Sequence, residues 1–374
     1  FIHLKIYRLI ILNLNIKVIS MYFKQTLFTK IFLWAVIINF IISCNTGYFK
    51  TPTEFTELDI TDILIDPSLN IRTLEITDNM IYAASSKGEI YSFLNNKPNI
   101  INVEQFSSFL DSVQYPNFRS MSVVDNNVFA MTIGSPALLF KNGKVVYREK
   151  NEKVFYDSMD FWNLKEGLVV GDYLDGCISV LITRDGGETW DKLLCDKFKE
   201  PIDNEGFFAA SDTNISIVGD EVWIGSGGFN SRIYYSKNKG IAWDIINTPI
   251  IQGESTKGIY SIDFYNKNIG FAIGGDYTKP EENISNKILT TDGGKNWKVV
   301  ANNQNPGYRS CVKYFPNSNG NSLIAVGFNG VNISNDGGNT WKKISDEGFY
   351  TVRFLNENTA YAAGKGKISK LHFK

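Results

Sequence analysis

The chain has 374 residues, with 38 Lys or Arg against 39 Asp or Glu, and its formal net charge is -1. Because no basic excess is present to neutralise phosphates, the sequence predicts no nucleic-acid partner. Only His3 and His372 supply imidazoles, and no Cys-x-x-Cys spacing occurs. This argues against His-based catalytic triads and zinc clusters, so no metal and no cofactor are expected. An aromatic fraction of 14% and 31 Gly favour β-structure with many turns.

The beginning of the chain indicates a targeting segment. Residues 1–20 contain no Met and are interpreted as sequence upstream of a start at Met21. Residues 21–43 combine two Lys with an apolar run over 31–43 that is too short to span a bilayer. This is the layout of a secretory signal peptide.

The apolar run ends in Ile41-Ile42-Ser43-Cys44, which resembles the lipobox of bacterial lipoproteins. The resemblance implies that Cys44 carries acyl chains that anchor the protein to a membrane. A plain signal peptide or a buried strand is the alternative. Residues 44–54 are then a tether, and residues 55–374 are a folded domain expected in the cell envelope, on the periplasmic or outer-membrane side. Three further Cys remain, an odd number, so no disulfide framework is predicted.

An eight-residue segment occurs four times, reading TRDGGETW, SKNKGIAW, TTDGGKNW and SNDGGNTW. This is the Asp-box (BNR) pattern. We predict a tight turn in which the Asp accepts backbone N–H bonds, a Gly takes a positive φ and the Trp packs on a neighbouring sheet. One carboxylate per copy is too few for a calcium loop. The structural positions are Asp185, Trp190, Asn238, Trp243, Asp292, Trp297, Asp336 and Trp341.

A second repeat predicts the number of structural units. Seven short runs carry a small residue followed by an apolar one, at intervals of 38 to 52 residues. A unit of about 40–50 residues with four short strands is typical of a propeller blade. The runs are Arg72-Thr73-Leu74, Arg119-Ser120-Met121, Asp157-Ser158-Met159, Phe208-Ala209-Ala210, Tyr260-Ser261-Ile262, Arg309-Ser310-Cys311 and Tyr350-Thr351-Val352.

The sequence therefore predicts an all-β, seven-bladed β-propeller with Asp-box turns. The last unit is too short for four strands, so we expect a strand near residues 55–64 to complete it and close the ring. The small residue of each run is expected where the innermost strands crowd around the axis. A two-sheet β-sandwich is the structural alternative, but it does not explain a sevenfold register.

These segments together resemble the Asp-box propellers of the photosystem II assembly/stability factor-like family, in a bacterial secreted lipoprotein branch. Stretches at 155–161, 205–211, 274–280 and 307–310 add to the resemblance, which covers residues 155–371. It implies the propeller fold. Because photosynthetic members bind and help to assemble photosystem II subunits, it also implies a binding or assembly role. Relatives outside photosynthesis are often labelled oxidoreductase or glycosyl hydrolase.

Polar residues at equivalent places of the repeat indicate a ligand or partner site at one mouth of the channel. A Gly-Asp-Tyr triplet, for example, occurs at 171–173 and again at 275–277. An Arg among carboxylates can bind a carboxylate ligand bidentately, or it can pair with its neighbours in a structural network, and both readings stay open. The candidates are Asp157, Asp160, Asp172, Tyr173, Glu205, Arg232, Asp276, Tyr277, Tyr308, Arg309 and Arg119, with Arg72 nearby.

We expect a non-catalytic binding or assembly module for a protein or a small ligand, and no residue is assigned as catalytic. The first alternative is a glycosidase, because sialidases also carry Asp boxes and Asp157 with Asp276 could form a carboxylate pair. The second is an oxidoreductase, although no dinucleotide-binding motif occurs in the sequence.

Overall fold

The computed structural model describes residues 17, 21–25, 29–30, 54–77, 80–94, 102–105, 116–198 and 204–374. Residues 1–51 and 52–374 form two units. In the first unit residues 21–25 are helical. Cys44 and most of the expected signal peptide and tether lie outside the described residues. Within the part that the structure describes, no helix is long and apolar enough to cross a membrane.

The second unit is built from short strands, and every pairing between them is antiparallel. A 3-10 turn at Cys195–Lys197 interrupts the series. The strands before that turn are β1 (Leu58–Ile76), β2 (Met80–Ser85), β3 (Glu89–Leu94), β4 (Asn102–Gln105), β5 (Phe118–Val124), β6 (Asn127–Thr132), β7 (Ala137–Lys141), β8 (Lys144–Glu149), β9 (Tyr156–Phe161), β10 (Gly167–Leu174), β11 (Cys177–Thr183) and β12 (Asp191–Lys192).

The strands after it are β13 (Glu205–Gly206), β14 (Ile215–Val218), β15 (Glu221–Gly225), β16 (Gly227–Gly228), β17 (Arg232–Ser236), β18 (Asp244–Asn247), β19 (Lys257–Phe264), β20 (Gly270–Asp276), β21 (Lys287–Thr290), β22 (Lys298–Val299), β23 (Cys311–Tyr314), β24 (Leu323–Gly327), β25 (Gly330–Ser334), β26 (Lys342–Ser345), β27 (Thr351–Asn356) and β28 (Thr359–Phe373).

The described strands form a β-propeller of six hydrogen-bonded sheets, so the prediction of seven blades was wrong. Four sheets are four-stranded: β5–β8, β9–β12, β14-β15-β17-β18 and β23–β26. The fifth is six-stranded, in the order β13-β16-β19-β20-β21-β22. The sixth, in the order β27-β28-β1-β2-β3-β4, contains both the first and the last repeat.

The first and last repeats are joined because β1 is 19 residues long and serves both. Its first part pairs with β28, with Leu58 opposite Phe373, and its second part pairs with β2, with Leu74 opposite Ala83. A strand beginning near residues 55–64 therefore does complete the last repeat, as predicted. The pairing leaves no open edge at that point of the ring.

The fourth repeat departs from its predicted register. Phe208-Ala209-Ala210 was predicted to lie in its inner strand, but that strand is β14, and residues 207–214 form no strand. We call residues 207–214 the plug segment. It forms hydrogen bonds with residues of β1, β5, β9, β19 and β27 and with Ser310, which immediately precedes β23. A segment that bonds to the inner strands of all the other repeats lies at the axis of the propeller.

The plug segment explains why the second residue of each run is small. Thr73 donates its hydroxyl proton to Asp212, Ser158 donates to Asn214 and Thr351 donates to the Ser211 carbonyl. These side chains are small because a segment of backbone occupies the axis beside them. Neighbouring inner strands, such as β5 and β9, also contact one another, as expected.

Asp212 is the main polar anchor of the plug segment, and its side chain is buried. Its carboxylate accepts the N–H of Met121 at 2.9 Å, the N–H of Met159 at 3.1 Å and the hydroxyl of Thr73 at 2.7 Å. Its φ of 57° lies in the left-handed region, which Asp tolerates better than most residues. One side chain thus satisfies donors from three inner strands.

The four eight-residue segments form tight turns at the outer sides of their sheets. In the first, Asp185 accepts the N–H groups of Glu188 and Thr189, both at 3.0 Å. Trp190 then packs against Phe129 of the neighbouring sheet, with ring centroids 6.4 Å apart. The equivalent side chains that accept an N–H four residues ahead are Asn238, Asp292 and Asp336.

The cysteines correct a further expectation. Cys177 of β11 and Cys195 of the 3-10 turn form a disulfide, and Cys311 is a buried free thiol. The three Cys that follow Cys44 therefore form one disulfide bond and leave one free thiol. The bridge holds the 3-10 turn against the third repeat, although no wider disulfide framework is present among the described residues.

Replacement of Asp212 by Ala would leave two backbone N–H groups and one hydroxyl without an acceptor inside the protein. Because each unsatisfied buried polar group costs about 1–3 kcal/mol, we expect the free energy of unfolding to fall by about 3 kcal/mol or more. Urea denaturation measures this loss. The control is Asp346→Ala, whose side chain is 93% exposed and should change stability by less than about 0.5 kcal/mol. Equal stabilities for the two variants would refute the role of Asp212.

Candidate functional site

A cavity of about 900 Å³ lies against the plug segment, at the end of the propeller where the inner strands begin. Its lining includes the start of the plug segment and the cationic side chains of Arg72, Arg119 and Lys153. Most of the remaining lining is aromatic, namely Phe155, Tyr173, Phe207, Phe208, Phe229, Tyr260, Tyr277, Tyr308, Phe328 and Tyr350.

A β-bulge recurs at one position of the inner strands beside the cavity. In β1 the pairing skips Arg72, and in β5 it skips Arg119. The pairings of β9 and β19 skip Asp157 and Tyr260 in the same way. A bulge leaves one residue without a partner in the neighbouring strand and changes the direction of its side chain. The repeated irregularity thus places charged and aromatic groups at the cavity end of the channel.

Arg72 and Arg119 hold their guanidinium groups against the plug segment. The Nη1 of Arg72 donates to the Ala210 carbonyl and the Nη1 of Arg119 donates to the Ala209 carbonyl, both at 3.3 Å. The guanidinium of Arg72 also lies 3.9 Å from the ring centroid of Tyr350. Burial, together with the neighbouring charge of Arg72, lowers the pKa of Arg119 to about 10. Arg119 therefore stays charged at neutral pH.

Two carboxyl groups lie close to this pair and differ in environment. Asp157 is completely buried, and neither of its carboxyl oxygens has a hydrogen-bond partner. Burial, and secondarily the charge of Asp172, raises the pKa of Asp157 well above its usual value. The Ala209 N–H lowers this pKa in part, but its geometry falls short of a hydrogen bond.

Asp172 lines the cavity and accepts the Phe207 N–H at 2.7 Å. Burial raises the pKa of Asp172 to about 6, which this hydrogen bond partly opposes. At neutral pH Asp172 is thus largely ionised, whereas burial favours the neutral form of Asp157.

The aromatic side chains form a continuous wall. Phe208 of the plug segment stacks on Tyr260 with ring centroids 3.8 Å apart, and Tyr260 meets Tyr308 edge to face at 4.7 Å. Phe328 and Phe229 remain 44% and 52% exposed although they line the cavity. Exposed rings beside a buried aromatic cluster are suited to an apolar part of a ligand.

The structure brings six of the eleven predicted site residues to this cavity, and five lie elsewhere. The six are Asp172, Tyr173, Glu205, Tyr277, Tyr308 and Arg119, and Arg72 joins them. The five that do not line the cavity are Asp157, Asp160, Arg232, Asp276 and Arg309.

Arg232 and Glu205 form a buried structural pair. The Nε of Arg232 donates to both carboxylate oxygens of Glu205, at 3.1 and 3.0 Å, and the Tyr234 hydroxyl donates to the same carboxylate at 2.8 Å. Both ionised side chains are almost completely buried. For these two residues the structural network foreseen as an alternative is the better description.

Arg309 also binds neighbouring protein groups. Its guanidinium donates to Asn332 at 3.1 Å, to Asn329 at 2.6 Å and to the Tyr308 carbonyl at 2.7 Å. Asp276 is buried and accepts the N–H and the hydroxyl of Thr278. These contacts keep both side chains away from the cavity lining.

Asp160 lies further along β9, beyond the plug segment. Burial raises the pKa of Asp160, and the Phe161 N–H and the charges of Lys313 and Arg353 oppose this effect. Asp160 and the cavity thus belong to different ends of the channel.

Sequence reasoning missed Tyr260, Tyr350, Phe208, Phe229 and Phe328. The first three share a signal, because each occupies the first position of one of the seven runs, as Arg72 and Arg119 do. Phe229 and Phe328 lie in loops outside this register, and no spacing in the sequence distinguishes them.

The fold and the site define a β-propeller with an aromatic and cationic cavity at one end of a plugged channel. No family model matches the chain, and no curated protein matches its sequence. Many solved structures are similar in fold, and three of them serve as examples. "YCF48 bound to D1 peptide" has a TM-score of 0.59 and 12% identity over 87% of this chain and 99% of that chain. "Crystal structure of RRP9 WD40 repeats" has a TM-score of 0.60 and 9% identity, covering 87% and 99%.

"Structure of U3-55K" has a TM-score of 0.60 and 11% identity, covering 84% of this chain and 98% of that chain. Identities this low establish the propeller fold and nothing finer about the family.

The raised pKa of Asp157 predicts a distinct pH dependence. In the unfolded chain this carboxyl loses its proton near its ordinary pKa of 3.8, whereas the folded protein retains it to higher pH. The folded state then binds more protons, so this residue's contribution to stability falls as the pH rises above about 4. Asp157→Asn stays neutral, and we expect its melting temperature relative to the wild type to be higher at pH 8 than at pH 5. A difference that is the same at both pH values would contradict the raised pKa.

Proposed function

We propose that this chain is a non-catalytic binding propeller that holds a segment of a protein partner in the cavity beside the plug segment. The observation that carries the proposal is the cavity of about 900 Å³, with Arg72 and Arg119 set among aromatic walls. Recognition sites typically combine a mostly apolar concave surface with a few convergent polar groups. Aromatic residues and Arg are also the side chains most enriched where proteins bind each other.

The acidic residues at the site favour binding over hydrolysis. The Glu205 carboxylate accepts hydrogen bonds from Arg232 and Tyr234, and the Asp172 carboxylate accepts one from the Phe207 N–H. Asp157, which has the strongly raised pKa, does not line the cavity. A catalytic acid must come within hydrogen-bond reach of its substrate, so Asp157 does not meet this requirement. The Arg309 contacts with Asn332 and Asn329 likewise keep it from completing a sialidase-like set of three Arg.

The structural comparison favours a polypeptide as the occupant. YCF48, which has the same fold, is described as bound to D1 peptide. Other propellers of similar fold consist of WD40 repeats. At the identities observed these proteins do not identify the partner of this chain, and the cavity itself carries the proposal.

We further propose that the protein works in a bacterial cell envelope, anchored through lipidated Cys44, and that it belongs to the secreted Asp-box branch suggested by its sequence. The lipobox-like Ile41-Ile42-Ser43-Cys44 supports the anchor. The disulfide between Cys177 and Cys195 supports an oxidising compartment, since such bonds are rare in the cytosol. The N–H bonds accepted by Asp185 support the Asp-box assignment.

Peptide binding can be tested with the full chain in detergent and an array of randomised ten-residue peptides. We expect saturable binding to a subset of them. Phe229→Ala should weaken that binding about 5- to 10-fold, because truncation of an aromatic contact at an interface typically costs about 1–2 kcal/mol. The matched control is Ile241→Ala, which removes an exposed apolar side chain outside the cavity lining. No binding, or turnover of aryl-sialosides by the purified protein, would refute the proposal.

The anchor predicts that radiolabelled palmitate is incorporated when the gene is expressed in a bacterium with a lipoprotein pathway. Cys44→Ser removes the acylated thiol, so we expect the label to be lost and the protein to leave the membrane fraction. Cys311→Ser is the control, because that thiol is buried in the folded unit. Equal labelling of the Cys44→Ser variant and the wild type would rule out the anchor.

A further inference from the structure

We infer that Arg72 and Arg119 bind a carboxylate of the peptide held in the cavity, either its terminal carboxylate or an acidic side chain. This inference rests on the proposed function and specifies the chemistry of the occupant. It starts from charge. Among the described residues, no Asp or Glu lies within ion-pair distance of either guanidinium, and each makes one long hydrogen bond to a carbonyl of the plug segment. The Nε of Arg72 is buried without a partner.

Other channel cations differ from this pair. Beyond the plug segment, Arg353 lies 3.6 Å from Glu75 and Lys313 lies 2.8 Å from Asp263. The two Arg at the cavity form no such ion pair among the described residues. They lie close enough together for the charge of Arg72 to lower the pKa of Arg119. Charges in a partly desolvated site are costly without a counter-charge, so an incoming anion gains more here than on an open surface.

The nearby acids do not neutralise the pair. Asp157 is completely buried beside Asp172, and no hydrogen bond links it to Arg119. Asp172 accepts the Phe207 N–H and makes no ion pair with either Arg. Neither acid therefore forms an ion pair with the two Arg, although the charge of Arg119 partly opposes the raised pKa of Asp157.

The geometry favours a planar, two-oxygen anion. The guanidinium of Arg72 lies over Tyr350 at 3.9 Å, which restrains its plane. A guanidinium presents a rigid fork of N–H donors that matches a carboxylate bidentately. The neighbouring Phe208 and Tyr260 stack supplies an apolar wall for the carbon chain that carries the carboxylate. A polypeptide always offers such groups, at its C-terminus or on Asp and Glu.

The test uses the full chain in detergent and four pools of octapeptides that carry an uncharged BODIPY label and share the same randomised neutral positions. One pool ends in a free carboxylate and one in an amide. A third has the amide and one internal Glu, and a fourth has the amide and one internal phosphotyrosine. Fluorescence anisotropy measures affinity. We expect the free-acid pool, the Glu pool or both to bind at least tenfold more tightly than the amide pool, and the stronger one identifies the source of the carboxylate.

Arg72→Gln and Arg119→Gln should each reduce the carboxylate preference, and the double variant should bring the ratio of the carboxylate-pool and amide-pool affinities close to one. Arg148→Gln, an exposed Arg on β8, is the control and should keep the full preference. If the Gln variants fail to fold, as judged by their melting temperatures, Arg72→Lys and Arg119→Lys give the same test. These Lys variants keep the positive charge but lose the fork of N–H donors, so we expect a smaller but clear loss of the carboxylate preference.

The outcomes separate the two proposals. Equal binding of the amide and carboxylate pools overturns this inference and leaves the binding function intact. A carboxylate preference that survives in the double variant, or tighter binding of the phosphotyrosine pool, also overturns it. Failure of all four pools to bind overturns both proposals.

Discussion

The plug segment satisfies the inner edges of the propeller sheets, and the rest of the molecule depends on this. The innermost strand of each sheet presents backbone groups towards the axis, where no further strand can pair with them. Asp212 accepts two of these N–H groups and a hydroxyl from three different strands. The Ser211 hydroxyl and the Thr213 carbonyl bond to the region of β23 and to β19. One loop of eight residues thereby links repeats that are far apart in the sequence.

The same segment separates two ends of the channel that differ in whether their charged side chains form ion pairs. Beyond it, Glu75, Asp263, Lys313 and Arg353 form compensated ion pairs. Burial raises the pKa of Glu75 to about 7, an effect that the charge of Arg353 opposes. On the near side, Arg72 and Arg119 donate hydrogen bonds to carbonyls of the plug segment, and Arg72 also lies over the Tyr350 ring. Paired charges hold parts of the fold together. Cations without an ion-pair partner beside a cavity can instead pair with an anionic group of a ligand.

Much of the fold could be predicted from the sequence because it follows from short local patterns that recur along the chain. The turn from Asp185 to Trp190 needs an acceptor, a Gly and a large apolar ring at fixed offsets, and each appears at its expected place. The repeat also drew attention to the first position of each run, and the bulges later placed Arg72 and Arg119 of that position beside the cavity. The number of sheets was misjudged because β1 continues from one repeat into the next, and no residue marks that continuity.

The sequence alone determined the all-β propeller, the chemistry of its corner turns and seven of the 22 residues that line the cavity, since spacing along the chain encodes these features. Only the tertiary structure decided that the residues predicted as the inner strand of the fourth repeat fill the axis of the propeller instead. It also decided that Arg232 and Arg309 donate hydrogen bonds to neighbouring side chains, whereas Arg72 and Arg119 donate to carbonyls of the plug segment. The physical reason is that pairing among polar side chains depends on distances across the ring, where partners such as Thr73 and Asp212 are 139 residues apart in sequence. No local pattern records such distances.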